Sequence, residues 1–210
     1  MDAIIVLGGG GHAKVVLSIL RKLKRYRILG YADLRDRGVV LGAAYLGTDR
    51  DLAALAARRK SLHAVLGVGQ VGTGGQRREL WSRVNAPPLR FPVIVSPDAV
   101  VNAGVSLAEA TVVMDGAIIN AGAVVGRGAI VNTHSTIEHD VVVGDWVHVA
   151  PGATISGGAT IGAGSMIGAG ATVIEGIAIA PGCFVGAGAV VVRNLDAPGV
   201  YVGCPARRIK

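Results

Sequence analysis

An imidazole directly beside a carboxylate, at His139 and Asp140, is the pair in this sequence best suited to move a proton. A carboxylate that accepts a hydrogen bond from one ring nitrogen fixes the histidine tautomer and raises the basicity of the other nitrogen. That arrangement suits a general base that deprotonates an amine or a hydroxyl. A surface ion pair is the alternative interpretation, and Glu138 is a second candidate for the orienting acid.

Three of the five histidines lie in one stretch of the chain, at His134, His139 and His148. Zinc sites usually contain short ligand pairs, often with cysteine, and neither feature is present here. A zinc ion shared between subunits is the alternative. We therefore assign no metal ligands and expect no metal requirement.

A glycine run near the start of the chain is suited to hold a phosphate. The apolar residues 3–7 predict a buried strand, Gly8-Gly-Gly-Gly-His12 follows it, and Lys14–Leu23 shows a helical pattern. Glycines let the main chain approach a phosphate, and the start of a helix attracts negative charge. His12 either touches that ligand or only caps the turn, and a turn that binds nothing is the alternative.

Asp33 follows the glycine run by about 20 residues, at the end of a second predicted strand, where a carboxylate accepts from a ribose hydroxyl. Residues 1–85 are few for a complete dinucleotide-binding domain, which has six parallel strands. The pattern therefore favours a nucleotide or nucleotide sugar over NAD.

The front of the chain alternates between strand and helix patterns, which predicts a small parallel α/β domain over residues 1–85. Further strands are predicted at Arg27–Ala32 and His63–Val68, and further helices at Asp49–Arg59 and Gln76–Val84. Prolines then mark a linker over residues 86–98, namely Pro87, Pro88, Pro92 and Pro97.

From Val101 to Val191 every sixth residue is a branched aliphatic. A period of six fits neither a helix nor an ordinary strand and is typical of a parallel β solenoid. Small residues two positions before most of these aliphatics fill a narrow prism, with Val105, Val141, Val147 and Ile177 as larger exceptions. Glycines three positions after most of the aliphatics form the corners. We predict the solenoid over residues 99–194 and a C-terminal tail over 195–210.

The corner glycines are replaced at three consecutive corners, by His134, Asp140 and Trp146. A regular scaffold interrupted by titratable residues indicates a functional site. One coil takes about 18 residues, so His139 and His148 are half a coil apart and should lie at different corners. A neighbouring subunit would then be needed to bring two such corners together.

Composition excludes several functional classes. The net charge of +7 suits anionic small molecules, whereas 4% aromatic residues leave few platforms for stacking nucleic-acid bases. The two cysteines, Cys183 and Cys204, form no disulfide framework and fit a reducing cytosol. The sequence shows no signal-peptide pattern and no apolar run of membrane-spanning length. We therefore expect a cytoplasmic protein without membrane insertion or a nucleic-acid partner.

The repeat resembles that of the hexapeptide-repeat acyltransferases, and three other stretches share the resemblance: Gly8–Val16, Asn132–Gly152 and Gly199–Arg207. They are similar to the branch that contains sialic-acid O-acetyltransferases and the nucleotide-sugar amino N-acetyltransferases of bacterial surface-glycan synthesis. The resemblance implies a small α/β Rossmann-like N-terminal domain followed by a left-handed parallel β-helix.

The resemblance also implies roles for individual residues. His139 matches the catalytic base and Asp140 its acid, while His148 and Gly157 match residues that contact acetyl-CoA. The family is trimeric, with active sites between subunits, and acetyl-CoA is its co-substrate. The positions that match the nucleotide-sugar site are Gly10, Gly11, His12 and Asp33.

We therefore expect an acetyl-CoA-dependent N-acetyltransferase that acts on the amino group of a nucleotide-linked amino sugar by direct attack. The alternatives are O-acetylation of a sugar hydroxyl, as on a sialic acid, and a non-catalytic β-helix scaffold. The sequence departs from the family at Gln70, where relatives often have Asn, and in having a single acid, Asp33, where some have two. The resemblance implies that both positions face the nucleotide, so the identity of the base stays open.

Overall fold

The computed structural model describes residues 1–57, 61–72, 75–85 and 89–210, which form two compact units. The first unit comprises Met1–Gly69 and Gln76–Pro97, and the second comprises Gln70–Gly75 and Asp98–Lys210. Parts of two predicted segments lie outside the described residues: the end of the helix predicted to reach Arg59, and the start of the predicted linker at residues 86–88.

The first unit has the predicted α/β alternation. Its elements are β1 (Asp2–Leu7), α1 (Gly11–Leu23), β2 (Tyr26–Ala32), α2 (Leu52–Ala57), β3 (Leu62–Leu66), α3 (Gly75–Val84), β4 (Leu89–Arg90) and β5 (Ile94–Val95). A parallel sheet with the order β2-β1-β3-β4 forms its centre. The sequence did not predict β4, which is only two residues long and follows two prolines.

Helix α1 begins directly after the glycine run, with Gly10 as its N-cap and no side chain capping it. Its buried face contains Ala13, Val16, Leu17 and Leu20, at the spacing of one helical stripe. Ile19 is also fully buried, whereas Val15, one turn before it, is exposed. The first main-chain N–H groups of α1 thus lie beside the glycines and have no acceptor one turn earlier within the helix itself.

The second unit is the predicted left-handed β-helix. Its strands are β6 (Val100–Val101), β7 (Ser106–Leu107), β8 (Val112–Val113), β9 (Ile118–Ile119), β10 (Val124–Val125), β11 (Ile130–Val131), β12 (Thr136–Ile137), β13 (Val142–Val143), β14 (His148–Val149), β15 (Thr154–Ile155), β16 (Thr160–Ile161), β17 (Met166–Ile167), β18 (Thr172–Val173), β19 (Ala178–Ile179), β20 (Cys183–Val185), β21 (Val190–Val191), β22 (Gly199–Val202) and β23 (Arg207–Arg208). Each solenoid strand pairs in parallel with the strand one coil later, as Val124 does with Val142.

Three sheets form the sides of the solenoid. The first runs β6-β9-β12-β15-β18-β21, the second runs β7-β10-β13-β16-β19, and the third continues from β8 through β11, β14, β17 and β20 to β22 and β23. The sixfold aliphatic series points inward and is buried from Val113 to Val191, whereas Val101 and Leu107 in the first coil are partly exposed. The sequence repeat therefore specifies the solenoid core.

The corners between strands need a left-handed backbone conformation, and the corner glycines from Gly104 to Gly188 have φ between 64° and 74°. His134, Asp140 and Trp146 adopt the same conformation, with φ of 54°, 59° and 60°. Ala110 is a fourth replaced corner, which the sequence analysis did not single out. Non-glycine residues in this region cost roughly 1 kcal/mol each, so the consecutive polar corners indicate a constraint other than folding.

Candidate active site

The corner after β12 carries the His139–Asp140 pair. Nδ1 of His139 lies 2.9 Å from Oδ2 of Asp140. Because a carboxylate only accepts, Nδ1 carries a proton, and in the neutral imidazole the lone pair is then on Nε2. Glu138, the other candidate acid, instead accepts from Nδ2 of Asn120 at 2.8 Å. Of the two acids, Asp140 is therefore the one that orients His139.

Glycines in the neighbouring coils make room for this pair. A Cβ at Gly157, one coil after His139, would lie 2.6 Å from Nε2 and 2.7 Å from Cε1 of the imidazole. A Cβ at Gly122, one coil before Asp140, would lie 2.7 Å from Oδ1. The ring thus lies over Gly157 and the carboxylate over Gly122, and a side chain at either glycine would displace them.

The main-chain N–H of Gly157 donates to no acceptor in the described part of the chain, although its carbonyl accepts from Gly176 at 3.0 Å. The solenoid ladder therefore leaves one donor unused in the residue beneath His139. A lone pair at Nε2 and a free N–H at Gly157 can serve an attacking nucleophile and an acyl oxygen respectively.

His148 lies in β14, on a different sheet from the one that leads to His139, and is 7% exposed. Nδ1 bonds to the main-chain oxygen of Gln70 at 3.0 Å, and Nε2 bonds to Nδ2 of Asn132 at 2.9 Å. The structure therefore brings His139, Asp140 and Gly157 together but does not bring His148 to them within one chain. Both ring nitrogens of His148 already have partners in the chain itself.

Gln70 and Asn132 both belong to this cluster. The sequence analysis gave Asn132 no role and expected Gln70 to face the nucleotide, whereas its side chain lies against the segment that leads into β14. Nε2 of Gln70 donates to the main-chain oxygens of Trp146 at 3.1 Å and Gly72 at 3.2 Å. The sequence signal that could have indicated a role for Gln70 in this cluster was its departure from the family pattern. Its pairing with β14 was not predictable, since Gln70 lies outside the repeat.

The glycine run and Asp33 meet in the first unit. Gly9 N and Arg37 Nε donate to Oδ2 of Asp33 at 2.8 Å and 2.9 Å, and Arg35 N donates to Oδ1 at 3.3 Å. Burial raises the pKa of Asp33, but these hydrogen bonds and the charge of Arg37 outweigh it, so the pKa lies below its ordinary value. Asp33 is therefore an ionised acceptor fixed beside the loop.

Two clefts flank that loop. One, of about 340 Å³, lies at the carboxyl ends of β1 and β2 against α3, and contains Asp33 and the ion pair between Arg83 Nε and Asp49 Oδ2 at 3.0 Å. The other, of about 450 Å³, lies at the start of α1 and is lined by Gly9, Gly10, Gly11, Lys14, Arg37, Val39, Val40 and Leu41. The second combines helix N–H groups with two cationic side chains, as an anion site requires.

His12 is the second residue of α1 and is half-buried. It packs against the tip of the strand-β3 loop, where a Cβ at Gly69 would lie 3.4 Å from Cβ of His12. Nearby, the fully buried Arg77 donates from Nη1 to the main-chain oxygens of Leu66 and Val68. Burial lowers the pKa of Arg77 to about 9, so this guanidinium stays charged at neutral pH and adds positive potential behind the loop.

In the described ranges no three His, Cys, Asp or Glu side chains are grouped so as to hold a metal ion. The helices found there are too short or too polar to cross a membrane.

Comparison with known proteins assigns both units. The sequence profile of the PglD N-terminal domain matches residues 3–81, and that of the bacterial transferase hexapeptide (six repeats) matches residues 122–157 and 158–193. A search of the curated proteins found no match.

Several solved structures are similar over the whole chain. A histidine mutant of perosamine N-acetyltransferase from Caulobacter crescentus, in complex with CoA and GDP-perosamine, is 32% identical with a TM-score of 0.93, covering 100% of this chain and 98% of its own. The acetyltransferase domain of PglB from Neisseria gonorrhoeae, in complex with acetyl coenzyme A, is 33% identical with a TM-score of 0.92, covering 99% of each chain. WeeI from Acinetobacter baumannii, at 21% identity and a TM-score of 0.81, covers 100% of each chain and supports the fold alone.

The two matched domain models and the full-length similarity above 30% identity point to the same family. The His139–Asp140 corner is consistent with that family. The chain belongs to the hexapeptide-repeat sugar acetyltransferases, in the branch whose members carry a PglD-type N-terminal domain.

Proposed function

We propose that this enzyme transfers the acetyl group of acetyl-CoA to the amino group of a nucleotide-linked amino sugar. The observation that carries the proposal is the corner at His139, whose Nδ1 is held by Asp140 while Nε2 lies over Gly157. The relatives solved with CoA and GDP-perosamine, or with acetyl coenzyme A, support the choice of substrates.

The proposed reaction is direct transfer. The sugar amine attacks the thioester carbonyl carbon while Nε2 of His139 accepts a proton from the attacking nitrogen. Asp140 stabilises the resulting imidazolium through Nδ1. The N–H of Gly157 donates to the thioester oxygen as it gains negative charge. The C–S bond then breaks, and the proton on His139 passes to the CoA sulfur to give the thiol and the acetamido sugar.

The first unit supplies the proposed nucleotide site. Main-chain N–H groups of Gly10, Gly11 and His12 at the start of α1, with Lys14 and Arg37 beside them, suit a diphosphate. Asp33 is fixed and ionised at the end of β2, where an acceptor for ribose hydroxyls is expected. One oxygen of Asp33 accepts from Gly9, so ligand binding and loop shape depend on the same carboxylate.

The function is tested with the purified protein, acetyl-CoA and a panel of UDP-, GDP-, dTDP- and CMP-linked sugars. Each is supplied as the amino sugar and as the hydroxyl analogue. We expect CoA thiol release to match the mass gain of one acetyl group on an amino sugar. Acetylation of the hydroxyl analogues instead would favour the O-acetyltransferase alternative. No acetylated product from any acceptor would contradict transferase activity on this substrate class.

We further propose a homotrimer, working in the cytoplasm, with active sites between subunits. The side chains of His139 and Asp140 are 65% and 74% exposed, yet a site for thioester transfer must exclude water. The outward side chains on the two sheets that meet near this corner are apolar and exposed: Val100, Ile118, Val124 and Val142. A second copy that covers them would also complete the site.

The proposed cytoplasmic location is supported by the free thiols of Cys183 and Cys204, which suit a reducing compartment.

A charge placed on that surface should break the assembly. We expect light scattering to give three times the chain mass of 21.3 kDa for the wild type, and a monomer with little activity for Val142→Glu, because an interface cannot bury an unpaired carboxylate. Val15→Glu changes an exposed apolar side chain on α1 in the first unit, outside both clefts, and should stay trimeric and active. A fully active Val142→Glu monomer would rule out shared sites.

A further inference from the structure

Gln70 holds its loop against the solenoid through its side chain. Nε2 donates to the main-chain oxygen of Gly72, two residues along the same loop, and to that of Trp146, just before β14. The side chain is 5% exposed. Because both acceptors are carbonyls, the amide group of Gln70 has one orientation, with its NH₂ toward them. The main-chain oxygen of Gln70 is thereby fixed beside His148.

That oxygen determines the tautomer of His148. A carbonyl only accepts, so Nδ1 of His148 must carry the proton in the 3.0 Å contact with Gln70. Oδ1 of Asn132 accepts from Thr133 N at 2.8 Å, which orients the NH₂ of Asn132 toward His148. Nδ2 of Asn132 therefore donates to the lone pair of Nε2 at 2.9 Å. The three residues form one consistent network around a neutral imidazole.

This network changes what His148 can contribute. A neutral imidazole whose Nε2 accepts from Asn132 has no N–H left to donate to an acyl oxygen. Asn132, in contrast, keeps a second N–H that donates to no acceptor in the described structure. The polar hydrogen that this cluster offers to a ligand thus belongs to Asn132. Its direction is set jointly by the bond from Thr133 N to Oδ1 and by the bond to His148, and the second bond depends on Gln70.

We propose that Gln70 is a positioning residue for acetyl-CoA, which acts through His148 by locking its Nδ1–H tautomer and thereby orienting the amide of Asn132. The proposal rests on the proposed function only in naming acetyl-CoA as the ligand. It gives a role to the position at which this chain departs from its family. An asparagine is one methylene shorter, so its amide would not span from the same loop position to both carbonyls.

The test uses the full chain and Gln70→Met, which keeps the side-chain length and removes both donated hydrogen bonds. Oε1 of Gln70 is buried without a partner among the described residues, so its removal offsets part of the lost bonding and the variant should fold. Val71→Ala is the matched control, since Val71 is the next residue of the same loop and is 91% exposed.

Two measurements distinguish a positioning role of Gln70 from a purely structural one. Nitrogen-15 long-range correlation NMR should show the Nδ1–H tautomer of His148 in the wild type and Val71→Ala, and a mixture of tautomers in Gln70→Met. Calorimetry without acceptor should show acetyl-CoA binding about tenfold weaker in Gln70→Met, with the nucleotide-sugar Kd unchanged. Gln70→Glu, which repels both carbonyls, should show the same two changes.

The outcomes are distinct. A wild-type tautomer and an unchanged acetyl-CoA Kd in Gln70→Met would overturn the proposal, even if its Tm fell. A weaker nucleotide-sugar Kd alone would also overturn it, by placing Gln70 in the other site. If the wild type bound no acetyl-CoA at all, the proposed function would fail, and the proposal for acetyl-CoA would fail with it, while the NMR result would still decide whether Gln70 sets the tautomer.

Discussion

His139→Ala should lower kcat by about 10²–10⁴-fold, the usual contribution of a general base, and leave both KM values within a few-fold. Asp140 bonds to Nδ1, so Nε2 is the ring nitrogen available to accept a proton. It lies over Gly157, whose main-chain N–H donates to no acceptor in the described residues. Removing the imidazole removes proton transfer but leaves both substrate sites in place. Steady-state kinetics at saturating acetyl-CoA, with the preferred nucleotide amino sugar, measures the effect.

His134→Ala is the matched control for His139. His134 is likewise an exposed histidine at a solenoid corner. Its own backbone is left-handed, with φ of 54°, whereas at the His139 corner the left-handed residue is Asp140. The ring of His134 lies over Gly116 at another corner, away from Gly157. We expect wild-type kcat for this variant. Comparable turnover in His139→Ala and His134→Ala would show that His139 is not the base, and direct attack assisted by this corner would have to be abandoned.

The solenoid was predictable because its packing is nearly one-dimensional. Each inward aliphatic contacts mainly the equivalent residues one coil before and after it, so the sixfold period in sequence is the period of the core. The same reasoning predicts part of the candidate active site. Gly157 follows His139 by one coil and Gly122 precedes Asp140 by one coil, so the vertical neighbours of a corner residue are readable from the repeat.

The rest of the candidate site depends on contacts that the sixfold sequence repeat does not encode. Gln70 lies in a loop of the front segment, and its bond to His148 spans 78 residues. Asp33 was predicted as a ribose acceptor from its place after a strand, but its bonds to Gly9 and Arg37 arise from loop conformation. The burial of Arg77 was also hidden, since a polar helix with several arginines does not indicate which one faces inward.

Gly157→Ala should lower kcat by about 10²-fold, the cost of displacing a reacting group by about 1 Å, while the Tm stays close to that of the wild type. The backbone of Gly157 lies outside the left-handed region, so alanine fits the chain there without conformational strain. Its Cβ would nevertheless lie 2.6 Å from Nε2 of His139. The exposed imidazole is free to swing away, so the loss falls on catalysis rather than on folding.

Gly170→Ala provides the opposite control. Gly170 is a corner glycine with φ of 64° and open space around it, so alanine there costs roughly 1 kcal/mol of stability without touching the site. We expect a lower Tm with unchanged kcat for Gly170→Ala, and the reverse for Gly157→Ala. A raised KM for acetyl-CoA with normal kcat in Gly157→Ala would mean that this glycine only makes room for the co-substrate. A fall in kcat, with the acetyl-CoA Kd unchanged by calorimetry, would instead show that the missing side chain sets the position of the base.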